Sequence, residues 1–182
     1  LHSFPTRRSS DLARAVLHAG ADKISVNSPA LRRPELVAEL ADAFGSQCVV
    51  VGIDSLRDAD GEWRVRRDTG DAGTVRALPL RTLDWIGQAQ RLGAGEIVLN
   101  CMGSDGVRDG YDITQLSAAR ALCDVPLVAS GGAGCASHFV DVFVRADADA
   151  ALAASGFHDG SSRIQELKRA LHRRGVEVRH DA

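Results

Sequence analysis

No apolar run in this chain approaches the ~20 residues that a transmembrane helix needs, so no membrane contact is expected. The four cysteines, Cys48, Cys101, Cys123 and Cys135, form no CxxC pair and no zinc-ligand spacing. They read as reduced thiols of a cytoplasmic protein, and no metal site is expected. A field of one charge is also missing. Lys and Arg number 22 against 24 Asp and Glu, a formal net charge of −2. That balance offers nothing to attract nucleic acid or an anionic lipid surface, and there is no acidic tail. The opening stretch "LHSFPTRRSSDL" lacks the apolar core of a secretory signal and has neither a helical nor a strand period. It resembles a translated sequencing adapter joined to an incomplete reading frame. Residues 1–12 are therefore read as a non-native segment, with the fold expected from about Ala13.

What remains suits one soluble domain, residues 13–182. The full sequence, at 182 residues, is long enough to bury a sizeable core, and its 45% hydrophobic and 25% charged composition is that of a globular protein. Three stretches look alike: "LHAGADKISVN", "RLGAGEIVLN" and "VRADADAALAAS". Each closes a helix, turns on small residues and enters a short apolar strand. Gly20 and Gly93 sit where a helix end wants a left-handed residue. Helical stripes follow Pro34 (Leu36, Val37, Leu40, Ala41, Phe44, with Gly45 as stop) and Asp112 (Leu116, Ala119, Leu122). Further stripes are Phe139, Val140, Phe143 and Val144, then Ile164, Leu167 and Leu171, opened by Ser162 and stopped by Gly175.

Strands are expected near Lys23–Asn27, Cys48–Asp54, Glu96–Asn100, Pro126–Ser130 and Ala150–Ala154. A small hairpin around Glu62–Arg66 is expected over one end of the sheet. Strands alternating with helices predict an α/β fold of about five parallel strands and six helices with right-handed crossovers. Periodicity alone leaves a doubly wound sheet and part of a (β/α)8 barrel both open.

In either architecture ligands meet the C-terminal strand ends. Those ends carry Asn27-Ser28, Asp54-Ser55, Asn100 with the Asp105-Gly106 loop, Ser130-Gly131-Gly132, and Ala154-Ser155-Gly156. The loops "ASGGAG" and "AASG" are placed to cradle an anion, as barrels do after their last two strands, or to form tight turns without a ligand. Asn27 and Ser28 are placed to bind a second phosphate or to cap a helix before Pro29. Asp105 and Asp109 lie in the Gly-rich loop "GSDGVRDGYD" and read plainly as turn formers, and His158 as a loop residue. Lys23 and Glu96 start their strands on the opposite rim, as a surface ion pair on the plain reading. Asp54 closes the apolar run "CVVVGID". A partly buried carboxylate there is a candidate general acid or base, or a cap for the turn that follows. Such chemistry usually needs a second group, and Asp105 is the only nearby strand-end carboxylate.

The motifs "GADKISVNSPA", "FGSQCVVVGID", "GAGEIVLN", "DGVRDGYD", "VPLVASGGAG" and "ALAAS" followed by Phe157-His158 resemble the cyclase subunit of imidazole glycerol phosphate synthase. The resemblance runs from about Ala13 to Val178. It implies a (β/α)8 barrel, of which this chain resembles the third helix onward and units four to eight. It also implies a lyase of histidine biosynthesis. Ammonia from a glutaminase subunit reacts with a bis-phosphate ribulosyl aminoimidazole carboxamide nucleotide. The products are imidazole glycerol phosphate and an aminoimidazole carboxamide ribotide, and no cofactor takes part.

By the same resemblance Asp54 is one of two acid–base aspartates. Its partner belongs to a first strand outside this sequence, so the chain alone is expected to be inactive. Gly131, Gly132 and Ser155, with Ser130 and Ala154, fall in one phosphate site. Asn27 and Ser28 fall in the other, Asp105 and Gly106 in a substrate-contacting loop, and Lys23 and Glu96 in an ammonia gate. The competing expectations are the related isomerase of the pathway and a non-catalytic, phosphate-binding half-barrel.

Overall fold

The computed structural model describes residues 9–154, 157 and 163–179. Strands and α-helices alternate apart from one pair of successive helices and one run of three successive strands. They run α1 (Ser9–His18), β1 (Ile24–Val26), α2 (Ser28–Arg32), α3 (Glu35–Phe44), β2 (Val49–Arg57), β3 (Trp63–Arg67) and β4 (Arg76–Arg81). The second half holds α4 (Thr82–Arg91), β5 (Glu96–Cys101), α5 (Ile113–Arg120), β6 (Leu127–Ser130), α6 (Ala136–Arg145), β7 (Ala150–Leu152) and α7 (Ile164–Arg173). Five strands are mutually parallel, in the order β1-β2-β5-β6-β7. Those five match the expected parallel set, and α1 begins at Ser9, ahead of Ala13. The described helices exceed the expected six because Ser28–Arg32 closes one short turn of its own behind Pro29.

Local chemistry sets the boundaries. Gly45 ends α3 with φ 87°, and Gly20 and Gly93 end their helices with φ of 101° and 99°. Asp112 caps α5 by accepting from the Gln115 backbone N–H at 2.9 Å. The Ser162 start expected for the last helix lies outside the described residues.

One expectation needs correction. Asp54 does not end its strand, because β2 runs three residues further, to Arg57. Its lower half pairs with β1 through Ile24↔Val49 to Val26↔Val51. Above that, β3 takes over the same edge in antiparallel sense, from Asp54↔Arg66 to Arg57↔Trp63. The hairpin is therefore not laid over the sheet. It extends the sheet edgewise, and its backbone partners keep the polar end of β2 extended.

The core lies between the sheet and its helices. Val49, Val51 and Ile53 alternate on the helix-facing side of β2, all at 1% exposure or less. Ile97, Leu99, Leu127 and Ala129 continue that layer. Against it pack Leu36, Val37 and Leu40 of α3, Trp85, Ile86 and Ala89 of α4, and Leu116 and Ala119 of α5. Each large apolar side chain buried this way contributes about 1.5–3 kcal/mol. Three buried polar residues interrupt the apolar layer. Ser55 Oγ shares a 2.7 Å hydrogen bond with Thr82 Oγ1 and accepts from Gln115 Nε2, joining β2 to α4 and α5.

Candidate active site

Strand register assembles the site. Asp54 lies beside Asn100, Asn100 beside Ser130, and Ser130 beside Leu152, one row across four parallel strands. Residues in a row share a face, and this row faces away from the helix-packed layer. Asp54 is half-buried, and its carboxylate is held from three sides. Asn27 Nδ2 donates to Oδ2 at 2.7 Å, Thr69 Oγ1 donates to Oδ2 at 2.5 Å, and Asn100 Nδ2 donates to Oδ1 at 2.8 Å. A carboxylate has about four lone-pair sites, so these three donors leave one acceptor position on Oδ1. The amide oxygens of Asn27 and Asn100 are buried without a hydrogen-bond partner, so among the described residues it is Asp54 that orients both amides.

Next to this cluster is a cavity of about 230 Å³. It gathers Asn100, Asp105, Gly106, Ser130, Gly131, Gly132 and Ala154, and Arg108 and Leu152 are also in its wall. The glycines there are required by space. Gly131 and Gly132 have φ of 92° and 107°. A Cβ on Gly132 would lie 2.0 Å from the Gly110 carbonyl oxygen, and one on Gly134 would lie 2.1 Å from that of Arg108. The Gly110 N–H also donates to Gly132 O at 2.8 Å. The loops after β5 and β6 are thus in backbone contact, and Asp105 and Gly106 meet Ser130–Gly132 in one wall.

Ser28 lies at the head of α2, but neither it nor Asn27 caps that helix through its side chain. Asn27 turns to Asp54 instead, and Ser28 Oγ accepts from the Asp68 N–H at 3.0 Å. Lys23 and Glu96 form an ion pair at the opposite rim, with side chains 48% and 17% exposed. Ser155 and His158 lie outside the described residues. Sequence reasoning names Asn100 only as a strand end, and gives no sign of Thr69 at all.

The cysteines divide by environment. Burial pushes the Cys101 thiol up to about 12 and the Cys123 thiol up to about 11. Cys135, exposed and hydrogen-bonded to Ser137 at 2.9 Å, is held below the usual thiol range by that bond. All four are unpaired. No described helix is long and apolar enough to cross a membrane.

A sequence profile of the family described as "Histidine biosynthesis protein" matches residues 7–163. Imidazole glycerol phosphate synthase subunit HisF of Xanthomonas campestris pv. campestris (strain B100) is 70% identical over 172 residues, 94% of this chain and 67% of that protein. The subunit of the same name from Xylella fastidiosa (strain M12) is 71% identical over 169 residues, 93% of this chain and 66% of its own length. The chain belongs to this family. Its fold is that of the (β/α)8 barrel family, and the family's work is the cyclase step of histidine biosynthesis. The chain spans about two thirds of the length of these relatives. The row Asp54–Asn100–Ser130 lies near the C-terminal end of the parallel ladders, the side on which barrels of this class do their chemistry.

Proposed function

We propose that this chain contributes the Asp54 half of an acid–base site for ammonia-dependent cyclisation of a bis-phosphate aminoimidazole carboxamide nucleotide. The observation that carries the reading is the Asp54 carboxylate, fixed by three donors beside a glycine-walled cavity. The fixed geometry leaves one acceptor site on Oδ1 to take a proton from the substrate and later return it. Its proton partner is a second carboxylate on the same rim, contributed by the first strand in the family.

Ser130, Gly131, Gly132 and Ala154 hold one phosphate, the glycines through backbone N–H groups that no Cβ shields. Asp105 and Gly106 contact the substrate between its ends, Asp105 as acceptor for a hydroxyl. Asn27 and Ser28 serve the second phosphate. Ser28 already accepts from Asp68, so its hydroxyl hydrogen is left to donate to that group. Lys23 and Glu96 sit where ammonia from a glutaminase subunit enters on the opposite rim, and the assembly works in the cytoplasm. The isomerase reading is set aside because the relatives bear the synthase subunit's name.

The test is ammonia-dependent turnover in the subunit at the full length of its relatives. Asp54→Asn keeps the size of the side chain and removes the base. Turnover is expected to fall by about 10²–10⁴ while the bis-phosphate substrate still binds. Retained turnover in that variant removes Asp54 from the mechanism.

A further inference from the structure

The excursion between β2 and α4 reaches the Asp54 carboxylate through Thr69, the residue after Asp68. Asp68 has φ 59°, in the left-handed region that a non-glycine residue holds only where its surroundings over-determine it. Here they do. Its carboxylate pairs with Arg32 at the end of α2 through Oδ1. Oδ2 meets Arg67 Nε at 3.3 Å and Arg76 Nε, at the start of β4, at 3.9 Å. Its N–H donates to Ser28 Oγ, and its carbonyl accepts from Thr74 Oγ1 at 2.7 Å. The very next side chain, Thr69, donates to Asp54 Oδ2.

Single exposed ion pairs contribute little, and Arg32 and Arg76 are 52% and 70% exposed. Asp68 differs because three cations from three elements share one carboxylate, which is itself only 21% exposed, and its two backbone groups are also engaged. The result is a clamp with two outputs. Through Ser28 it orients a donor at the phosphate end. Through Thr69 it orients the carboxylate at the acid–base end.

We infer that Asp68 is a positioning residue that couples the two ends of the site. What it positions rests on the function proposed above; the clamp itself does not. A competing role is that of a plain turn former, since aspartate and asparagine both tolerate left-handed backbone. Asp68→Asn separates the two, because it keeps that tolerance and removes the charge. Asp68→Gly relieves the backbone altogether and also removes the charge.

Two measurements decide. In the 182-residue chain, amide exchange across 68–74 is expected to rise about tenfold in both Asp68 variants, as local opening becomes easier. In the full-length subunit, Asp68→Asn is expected to lower kcat about tenfold or more and to raise KM for the bis-phosphate substrate, as misplacement does. Thr69→Val is expected to lower kcat alone, and Thr69→Ser to restore part of that loss. Wild-type exchange and wild-type kinetics in Asp68→Asn overturn the inference. If the full-length parent shows no ammonia-dependent turnover, the proposed function falls. The exchange result then decides the clamp by itself: faster exchange supports it and unchanged exchange overturns it.

Discussion

Two segments wall the candidate site, and they are held by opposite means. The loop after β6 is held by closeness: the backbone at Gly132 and Gly134 lies so near the carbonyls of Gly110 and Arg108 that no side chain fits between. The excursion after β2 is held by charge, with Asp68 drawing in Arg32, Arg67 and Arg76, and Asp58 paired to Arg64 and Arg66. Contact of the first kind is short-ranged and indifferent to salt. Contact of the second kind is screened. The cavity wall that would meet a phosphate is thus rigid by sterics. The wall that orients Asp54 and Ser28 is tunable by electrostatics.

The largest effect should come from breaking the steric side. Gly132→Ala places a methyl 2.0 Å from the Gly110 oxygen at φ 107°. A loss of about 2–4 kcal/mol is expected, read as a lower urea midpoint. Gly106→Ala is the matched control. Its φ is 74°, but an added Cβ meets nothing within 4 Å, so only about 1–2 kcal/mol of backbone strain should appear. Equal losses in the two variants would break the steric account.

The electrostatic side responds to salt. Raising NaCl to about 1 M shortens the screening length to about 3 Å and should speed amide exchange across 68–74, while leaving 131–134 unchanged. Equal responses in both segments would remove the distinction. The smallest effect belongs to the far rim. Lys23–Glu96 is a lone ion pair with a half-exposed lysine, and Lys23→Ala should cost under about 1 kcal/mol in a thermal melt. A larger loss would mean that pairs here need no network to matter.

How far the sequence reveals this depends on the kind of force. The lower half of β2 is legible because Val49, Val50, Val51 and Ile53 form an apolar run that only a buried strand accommodates. The upper half is not. Its partner is β3, whose Arg64, Arg66 and Arg67 give no apolar alternation to read. The glycine loop is legible as a loop, and its tightness is not, because Gly110 and Arg108 approach it from another unit. Asp54 is legible as a carboxylate on the rim. Asn27 is legible as a rim residue whose use stays open between phosphate and helix cap, and its side chain turns to Asp54 and makes no cap. Thr69 is the hardest case. It lies 15 residues from Asp54 in a stretch with no period, and only the hairpin brings the hydroxyl back. Long-range polar contacts carried by irregular backbone leave no local pattern behind.

The buried hydroxyls of Ser55 and Thr82, with Gln115, have a consequence for folding fidelity. Side chains along a strand alternate, so whatever holds Ser55 toward the helices also turns Asp54 to the opposite face. A slip of one residue would drive the Asp54 carboxylate under α4 and α5 and leave Thr82 and Gln115 without their partner. Misregistered intermediates are penalised at one spot, adjacent in sequence to the residue whose direction matters most. The triad thus acts as a proofreading key for β2: an apolar replacement would keep the layer packed while removing the signal that distinguishes the correct alignment from its neighbour.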